Sequence, residues 1–279
     1  MLGISGRRRV KLKDKVIVIT GSTRGIGRSI AKACAKEGAK IVISSRSEAA
    51  VKQQCDIFKR RGFAVSGIMA DVTNKDDLYK LFKHAIETWG RIDVWINNAG
   101  ISSGMRPLEN VSEEEIAAIV NTNLIAVLNA CHLVIPYFNH KSGVLINMTG
   151  KGGGGNASPY MTVYAATKAA VTSLTKSLAE ENKAYPISIH AVSPGMVETD
   201  LIKNSKTSPM LRDHAESIPY VLNAIGLPVD EVGKAFVDIA MQEPGKETGK
   251  IYSLVKGLRL LRGIALLIWY RKTGKIKAT

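Results

Sequence analysis

The sequence predicts an α/β protein: a doubly wound parallel sheet of about seven strands with helices on both faces, in a single domain. Three observations predict it. Short β-branched apolar runs alternate with longer segments of helical period, and that alternation builds parallel strands joined by right-handed crossovers. A glycine-rich turn, TGSTRGIG at 20–27, lies directly between the first such run and the first helical segment. The 279 residues are 45% apolar, which is enough for one sizeable core.

The first strand is KVIVIT at 15–20, and RSIAKACAKEGA after the turn has helical spacing. In the turn, Gly21, Gly25 and Gly27, with Ser22, Thr23, Arg24 and Ile26 between them, let backbone approach a pyrophosphate at a helix N-terminus. The second strand, AKIVISSR at 39–46, bears on which dinucleotide binds. An acidic residue at its end would accept the ribose 2′-hydroxyl of NAD; here Ser45 stands in that position, followed by Arg46. Arg24 adds a second cation, and a guanidinium fork suits a 2′-phosphate, so the expected cofactor is NADP(H). FAVSGIMADVTNKDDL at 63–78 gives a third strand, a turn and a helix start, and RIDVWINNAG at 91–100 a fourth strand.

Residues 110–138 open with Ser112 and Glu115, spaced as a capping box, and continue as a long apolar helix with Asn123 in its middle. An amide buried there needs hydrogen-bond partners. VLIN at 144–147 is the fifth strand, ended by a glycine-rich loop, and residues 162–181 form a helix on which Tyr164 and Lys168 share a face. A phenol titrates near ~10, and an ammonium nearby favours its phenolate, which would make Tyr164 a proton donor or acceptor for an alcohol or carbonyl. ISIHAVSPGMVETDL at 187–201 supplies the sixth strand, and GKIYSLV at 249–255 the last. Between them, 201–228 reads as a mobile substrate lid interrupted by Pro209, Pro219 and Pro228.

Taken together, TGSTRGIG, NNAG at 97–100 and the Tyr164/Lys168 pair resemble the short-chain dehydrogenase/reductase superfamily over about residues 12–255. The resemblance implies a Rossmann-like domain and adds site residues. Asp71 and Val72 would border the adenine, and Asn98, Ala99 and Gly100 would line the cofactor, Asn98 equally serving to brace the sheet. Asn123 would bend its helix and hold a water connecting Lys168 to solvent. Thr199 would contact the nicotinamide carboxamide, with Pro194, Gly195 and backbone near Val197 holding that ring.

The family usually places a serine at the end of the fifth strand, but here that slot falls on Gly150 or Lys151. Thr149, one residue early, or a backbone N–H could take over, because an oxyanion donor need not be a serine. The run INMTGKGGGGNASPYMTVYAATK is similar to the chlorophyll b reductase branch, which reduces a formyl group on a large planar tetrapyrrole with NADPH. Gly152 to Gly155 would then leave a wide mouth for a bulky substrate. The resemblance also implies a homo-oligomer, a dimer or tetramer, through helices at 110–138 and 160–181.

Composition sets further bounds. Cys34, Cys55 and Cys131 have no C-x-x-C spacing and read as reduced core thiols of a cytoplasmic protein. Five scattered His give no metal site. No stretch reads as long enough to span a bilayer, and the start lacks a secretory apolar run. The net charge of +15 gathers at the ends, in a basic leader at 1–11 and a basic amphipathic tail at 256–279 that follows the 12–255 domain. Two partners fit the tail: an anionic membrane surface, giving peripheral attachment, or a neighbouring subunit. No nucleic-acid motif accompanies the charge, so no nucleic acid is expected. The expected activity is NADP(H)-dependent reduction of a carbonyl, or oxidation of the alcohol, with Tyr164 as acid/base; its rival is a non-catalytic NADP(H)-binding sensor or membrane-associated scaffold.

Overall fold

The computed structural model describes residues 11–200 and 207–276. Arg7, Arg8 and Arg9 of the leader, residues 201–206 of the expected lid and the end of the tail at 277–279 lie outside the described residues. Strands β1 (Val16–Ile19), β2 (Lys40–Ser45), β3 (Val65–Met69), β4 (Val94–Asn97), β5 (Gly143–Met148), β6 (Ile187–Ser193) and β7 (Ile251–Ser253) form one sheet. Its order is β3-β2-β1-β4-β5-β6-β7 and every pair is parallel, as the alternation predicts.

Successive side chains on a strand point to opposite faces, so each β-branched run supplies two cores. Ile17 and Ile19 of β1, with Val94 and Ile96 of β4, pack under α1 (Gly25–Lys36), α2 (Glu48–Lys59) and α8 (Val229–Ala240). Val16, Val18 and Trp95 point the other way, under α3 (Lys75–Trp89), α5 (Ala126–Lys141) and α6 (Thr162–Glu181). These side chains are fully buried, and each such burial stabilises by roughly 1.5–3 kcal/mol. The chain builds outward from β1 to β3, then returns to set β4 against the other edge of β1. The loops after β1 and β4 therefore diverge and leave a crevice at the carboxyl ends of the strands.

Helix starts follow their caps. Asn74 Oδ1 accepts the Asp76 and Asp77 N–H groups at 2.8 and 3.3 Å to begin α3, and Ser112 and Glu115 close the expected capping box of α4 (Glu113–Val120). The long helix is not uniform: Asn121–Ile125 forms a π turn between α4 and α5. The continuous run Glu113–Lys141 is long and apolar enough by length and composition to cross a membrane, which corrects the expectation that no stretch is. Here Val127, Ala130, Val134 and Phe138 place it against the sheet.

Pro219 stands inside α7 (Arg212–Ile225) and does not break it, contrary to the reading of that segment as interrupted by prolines. The tail is helical over α9 (Gly257–Lys272), and it lies along α7. A methyl on Gly263 would meet Ile225 Cγ2 at 2.4 Å, so the two helices approach closely there. The Asn223 side chain donates to Tyr270 Oη at 2.6 Å, Tyr220 stacks edge-on against Tyr270, and Arg259 pairs with Glu231 of α8. Cys34, Cys55 and Cys131 are buried and unpaired, and burial pushes the Cys34 and Cys131 thiols up to about 12.

Candidate active site

A cleft of about 390 Å³ occupies the crevice. Of the residues expected to bind the dinucleotide, Gly21, Thr23, Arg24, Gly25, Ile26, Gly27, Arg46, Asp71, Val72, Asn98, Ala99, Gly100 and Thr199 line it. Gly21 has φ +62°, in the left-handed region that a glycine adopts freely. A methyl on Gly27 would come within 2.5 Å of Asn98 Nδ2 and of the Gly21 carbonyl oxygen, so only hydrogen fits where the turn enters α1. Unlike α2 and α3, α1 has no side-chain cap and no acidic residue in its first turn. Its first N–H groups are left for an anion, and the helix dipole favours one, which fits the pyrophosphate of a dinucleotide.

Asn98 braces this turn. Its Nδ2 donates to the carbonyls of Thr20 and Gly21 at 2.8 and 3.0 Å, while Thr20 Oγ1 accepts the Asn98 and Ala99 N–H groups at 3.0 and 3.1 Å. Ser22 corrects the expectation, because it is fully buried away from the cleft. Its hydroxyl donates to the Ile19 carbonyl at 2.7 Å and accepts the Ser44 N–H at 3.0 Å, which ties β1 to β2.

Ser45, the last residue of β2, and Arg46 after it also line the cleft. Arg24 lies 3.4 Å from the Asp200 carboxylate, with both side chains largely in solvent. Such an exposed pair is worth little in water, so it leaves Arg24 available to a competing phosphate. Asp71 Oδ1 accepts from the N–H and hydroxyl of Thr73 at 2.9 and 2.8 Å, which fixes the turn under the expected adenine.

The loop after β6 departs further from expectation. Of the residues expected there, Thr199 lines the cleft; its Cγ2 is 3.6 Å from where a methyl on Gly25 would sit. Val197 is buried in the core and bridges Leu227, Pro194 is also buried, and a methyl on Gly195 would collide with Val255. These three hold the loop's shape and do not line the cleft.

Two of the expected catalytic residues, Asn123 and Lys168, lie beside Gly100 of the cleft wall. A methyl there would sit 3.3 Å from Asn123 Oδ1 and 3.7 Å from Lys168 Nζ. Lys168, on α6, is buried; its ammonium donates to the Met148 carbonyl at 2.9 Å and lies 5.5 Å from the Tyr164 ring centre. Burial pushes the Tyr164 phenol up to about 12 and the Lys168 ammonium down to about 8. Both directions have one cause, because loss of hydration opposes charge on either group. Asn123, fully buried in the π turn, accepts the Ile101 N–H at 2.9 Å, and its Nδ2 donates to the Ile101 carbonyl at 2.9 Å and to Thr167 Oγ1 at 3.3 Å. The extra residue of the turn delivers that amide to the loop after β4.

Thr149 is a second correction. Its hydroxyl donates to the Lys168 carbonyl at 3.1 Å and sits 2.9 Å from the Thr172 hydroxyl, so it is committed to the body of α6. Gly150 is the residue beside the phenol, where a Cβ would be 3.0 Å from Tyr164 Oη. Nor do all the loop glycines widen the mouth. A methyl on Gly152 would lie 2.4 Å from Ala165 Cβ, and one on Gly153 2.2 Å from Thr149 Oγ1; both are needed for the loop to lie against α6. Gly154 and Gly155 are the open pair. Sequence reasoning missed Ala70, Ile101, Ser102, Thr122 and Asp200 in the cleft wall, although all but Ser102 directly follow or precede a residue it named.

A family model described as short chain dehydrogenase matches residues 15–209. A probable chlorophyll(ide) b reductase of Oryza sativa subsp. japonica is 37% identical over 211 residues, 69% of this chain but 42% of that protein. The aligned part thus spans less than half the length of that relative. A 3-oxoacyl-(acyl-carrier-protein) reductase of Chlamydia trachomatis is 32% identical over 249 residues, 88% of this chain and 98% of the relative. Among solved structures, a 3-ketoacyl-(acyl-carrier-protein) reductase from Brucella melitensis, complexed with NADH, superposes with a TM-score of 0.77 at 28% identity, over 87% of this chain and 97% of that one.

Proposed function

Because this chain belongs to the short-chain dehydrogenase family, an oxidoreductase family acting on carbonyls and alcohols, we propose that it is an NADP(H)-dependent carbonyl reductase. The observation that carries the proposal is the meeting of Asn123 and Lys168 at Gly100, a residue of the cleft wall to which Arg24 and Arg46 also belong, with Lys168 Nζ 5.5 Å from the centre of the Tyr164 ring. A nicotinamide cofactor held along the glycine turn would supply the hydride. The protein's own part is to hold and move a proton. Tyr164 Oη would give its proton to the carbonyl oxygen, Lys168 Nζ would place a positive charge near that phenol and bind the ribose hydroxyls, and Asn123 would help replenish the proton through water. Proton transfer by a positioned side chain of this kind contributes ~10²–10⁴-fold.

Preference for the 2′-phosphate rests on Arg24 and Arg46 and on Ser45 at the position where an acidic residue would favour NAD(H). A bulky, planar carbonyl substrate is supported by Gly150, which leaves the phenol uncovered, by the open loop at Gly154 and Gly155, and by the chlorophyll(ide) b reductase relative. Buried, unpaired cysteines accord with a cytoplasmic setting. The non-catalytic reading is not favoured, since Tyr164, Lys168 and Asn123 are all in place and the relatives reported above are reductases. The test is a titration with NADPH and, separately, NADH, followed by nucleotide fluorescence, then addition of aldehydes and ketones including bulky planar ones. NADPH should bind at least tenfold more tightly and be consumed on a bulky carbonyl. Equal affinity would remove the phosphate argument, and binding without turnover on any carbonyl would return the scaffold.

A further inference from the structure

We propose that the outer face of α9 is a docking surface for an anionic lipid bilayer. A helix that is apolar around most of its circumference is normally covered on all sides. α9 is covered on one: Gly263 and Tyr270 face α7. At 100° per residue, Leu258, Leu261, Ile264, Ile268 and Trp269 fall within an arc of about 140° on the other side. They are 81%, 65%, 45%, 51% and 48% exposed. That is a continuous apolar stripe, where isolated exposed leucines would need no explanation.

Charge selects the occupant. From residue 256 to the end the sequence contains no Asp or Glu, and Arg262, Arg271 and Lys272 make no ion pair among the described residues. Arg262 borders the stripe and Lys272 continues it at its C-terminal end, where long basic side chains can lay their stems on apolar surface and carry their charge to headgroups. Trp269 has the amphipathic ring favoured at a membrane interface. A second copy of this chain would bring the same uncompensated positive charge against itself, whereas an anionic bilayer supplies both the apolar layer and the opposite charge. The α9 helix has 16 residues, and its stripe runs along it, so the helix lies in the interface and does not cross it.

The inference stands apart from the proposed chemistry, since vesicle binding needs neither cofactor nor turnover. Full-length protein is floated with vesicles of phosphatidylcholine alone and with vesicles that also contain phosphatidylglycerol, with Trp269 emission as a second readout. The protein should float with the anionic vesicles, its emission should shift to the blue, and salt should weaken both. Leu261→Ser/Ile264→Ser/Ile268→Ser, at exposed positions that leave the α7 contact intact, should lose flotation while keeping its circular-dichroism melting temperature. Arg262→Glu/Lys272→Glu should lower partitioning by at least about fivefold per position. Failure of the parent protein to float, or equal partitioning of the triple-serine variant and its parent, overturns the proposal. So does dissociation of an oligomer by that variant, which would assign the stripe to a second copy.

Discussion

Lys168 is buried and Tyr164 half-buried, one turn apart on α6, and their protonation follows from loss of hydration more than from each other. With the phenol pushed up to about 12, Tyr164 is neutral at ordinary pH and already carries the proton that reduction consumes. Lys168, pushed down to about 8, loses its positive charge first as pH rises. The sign of the pH dependence follows. For reduction, kcat/KM for NADPH should be level below pH about 8 and fall above it as the Lys168 ammonium deprotonates, since that ratio reports groups of the free protein. A profile that rose through this range would mean that a phenolate, not a phenol, is the working form. Tyr164→Phe should keep NADPH affinity within about twofold and lower turnover by ~10²–10⁴-fold, read by stopped-flow loss of nucleotide fluorescence. Turnover equal to the parent's would remove Tyr164 from the mechanism.

At the scale of elements, the glycine loop after β5 and the π turn within the long helix set the geometry around those residues. Gly153 lies against the Thr149 hydroxyl, which itself is bonded to α6, so a side chain here must push the loop off the helix. Gly153→Ala should therefore destabilise by ~1–3 kcal/mol, the usual cost of overpacking, and lower the melting temperature. Gly154→Ala, whose methyl would have Asn156 Nδ2 no nearer than 3.8 Å, should shift it little. Equal melting temperatures for the two variants would show that the loop does not depend on contact with α6. The sequence announced this loop by composition, since four consecutive glycines cannot continue a strand or begin a helix stably. It did not distinguish glycines required for close packing from glycines that open a mouth, because that depends on how near α6 lies.

Over the whole molecule, exposed apolar side chains among the described residues include the stripe on α9 and a pair where the π turn meets α5, Ile125 at 40% and Leu128 at 39%. They differ in chemistry. The α9 stripe is bordered by unpaired cations, whereas the second patch belongs to the helices through which the family resemblance implies a dimer or tetramer. Ile125→Asp/Leu128→Asp should convert that oligomer to monomer in light scattering, with little loss of fold, since neither side chain contributes to the core clusters. A parent protein that is already monomeric would retire this assembly.

The sequence by itself determined the strand-helix alternation, the sheet's parallel sense, the glycine turn, the capping box of α4 and the Tyr164/Lys168 pair. These are local properties: a period of two or of 3.6 residues, a backbone free of Cβ atoms, or two side chains four apart on one helix. Which groups those side chains meet was decided only by tertiary structure. Thr149 turns toward α6 because Thr172 and the Lys168 carbonyl are there, Ser22 is spent between β1 and β2, and Asn123 finds its partners on Ile101 and Thr167. The phenol of Tyr164 is raised because the packed chain excludes water from it. Hydrogen-bond partners and hydration are set by residues distant in sequence, and no local pattern encodes their distance.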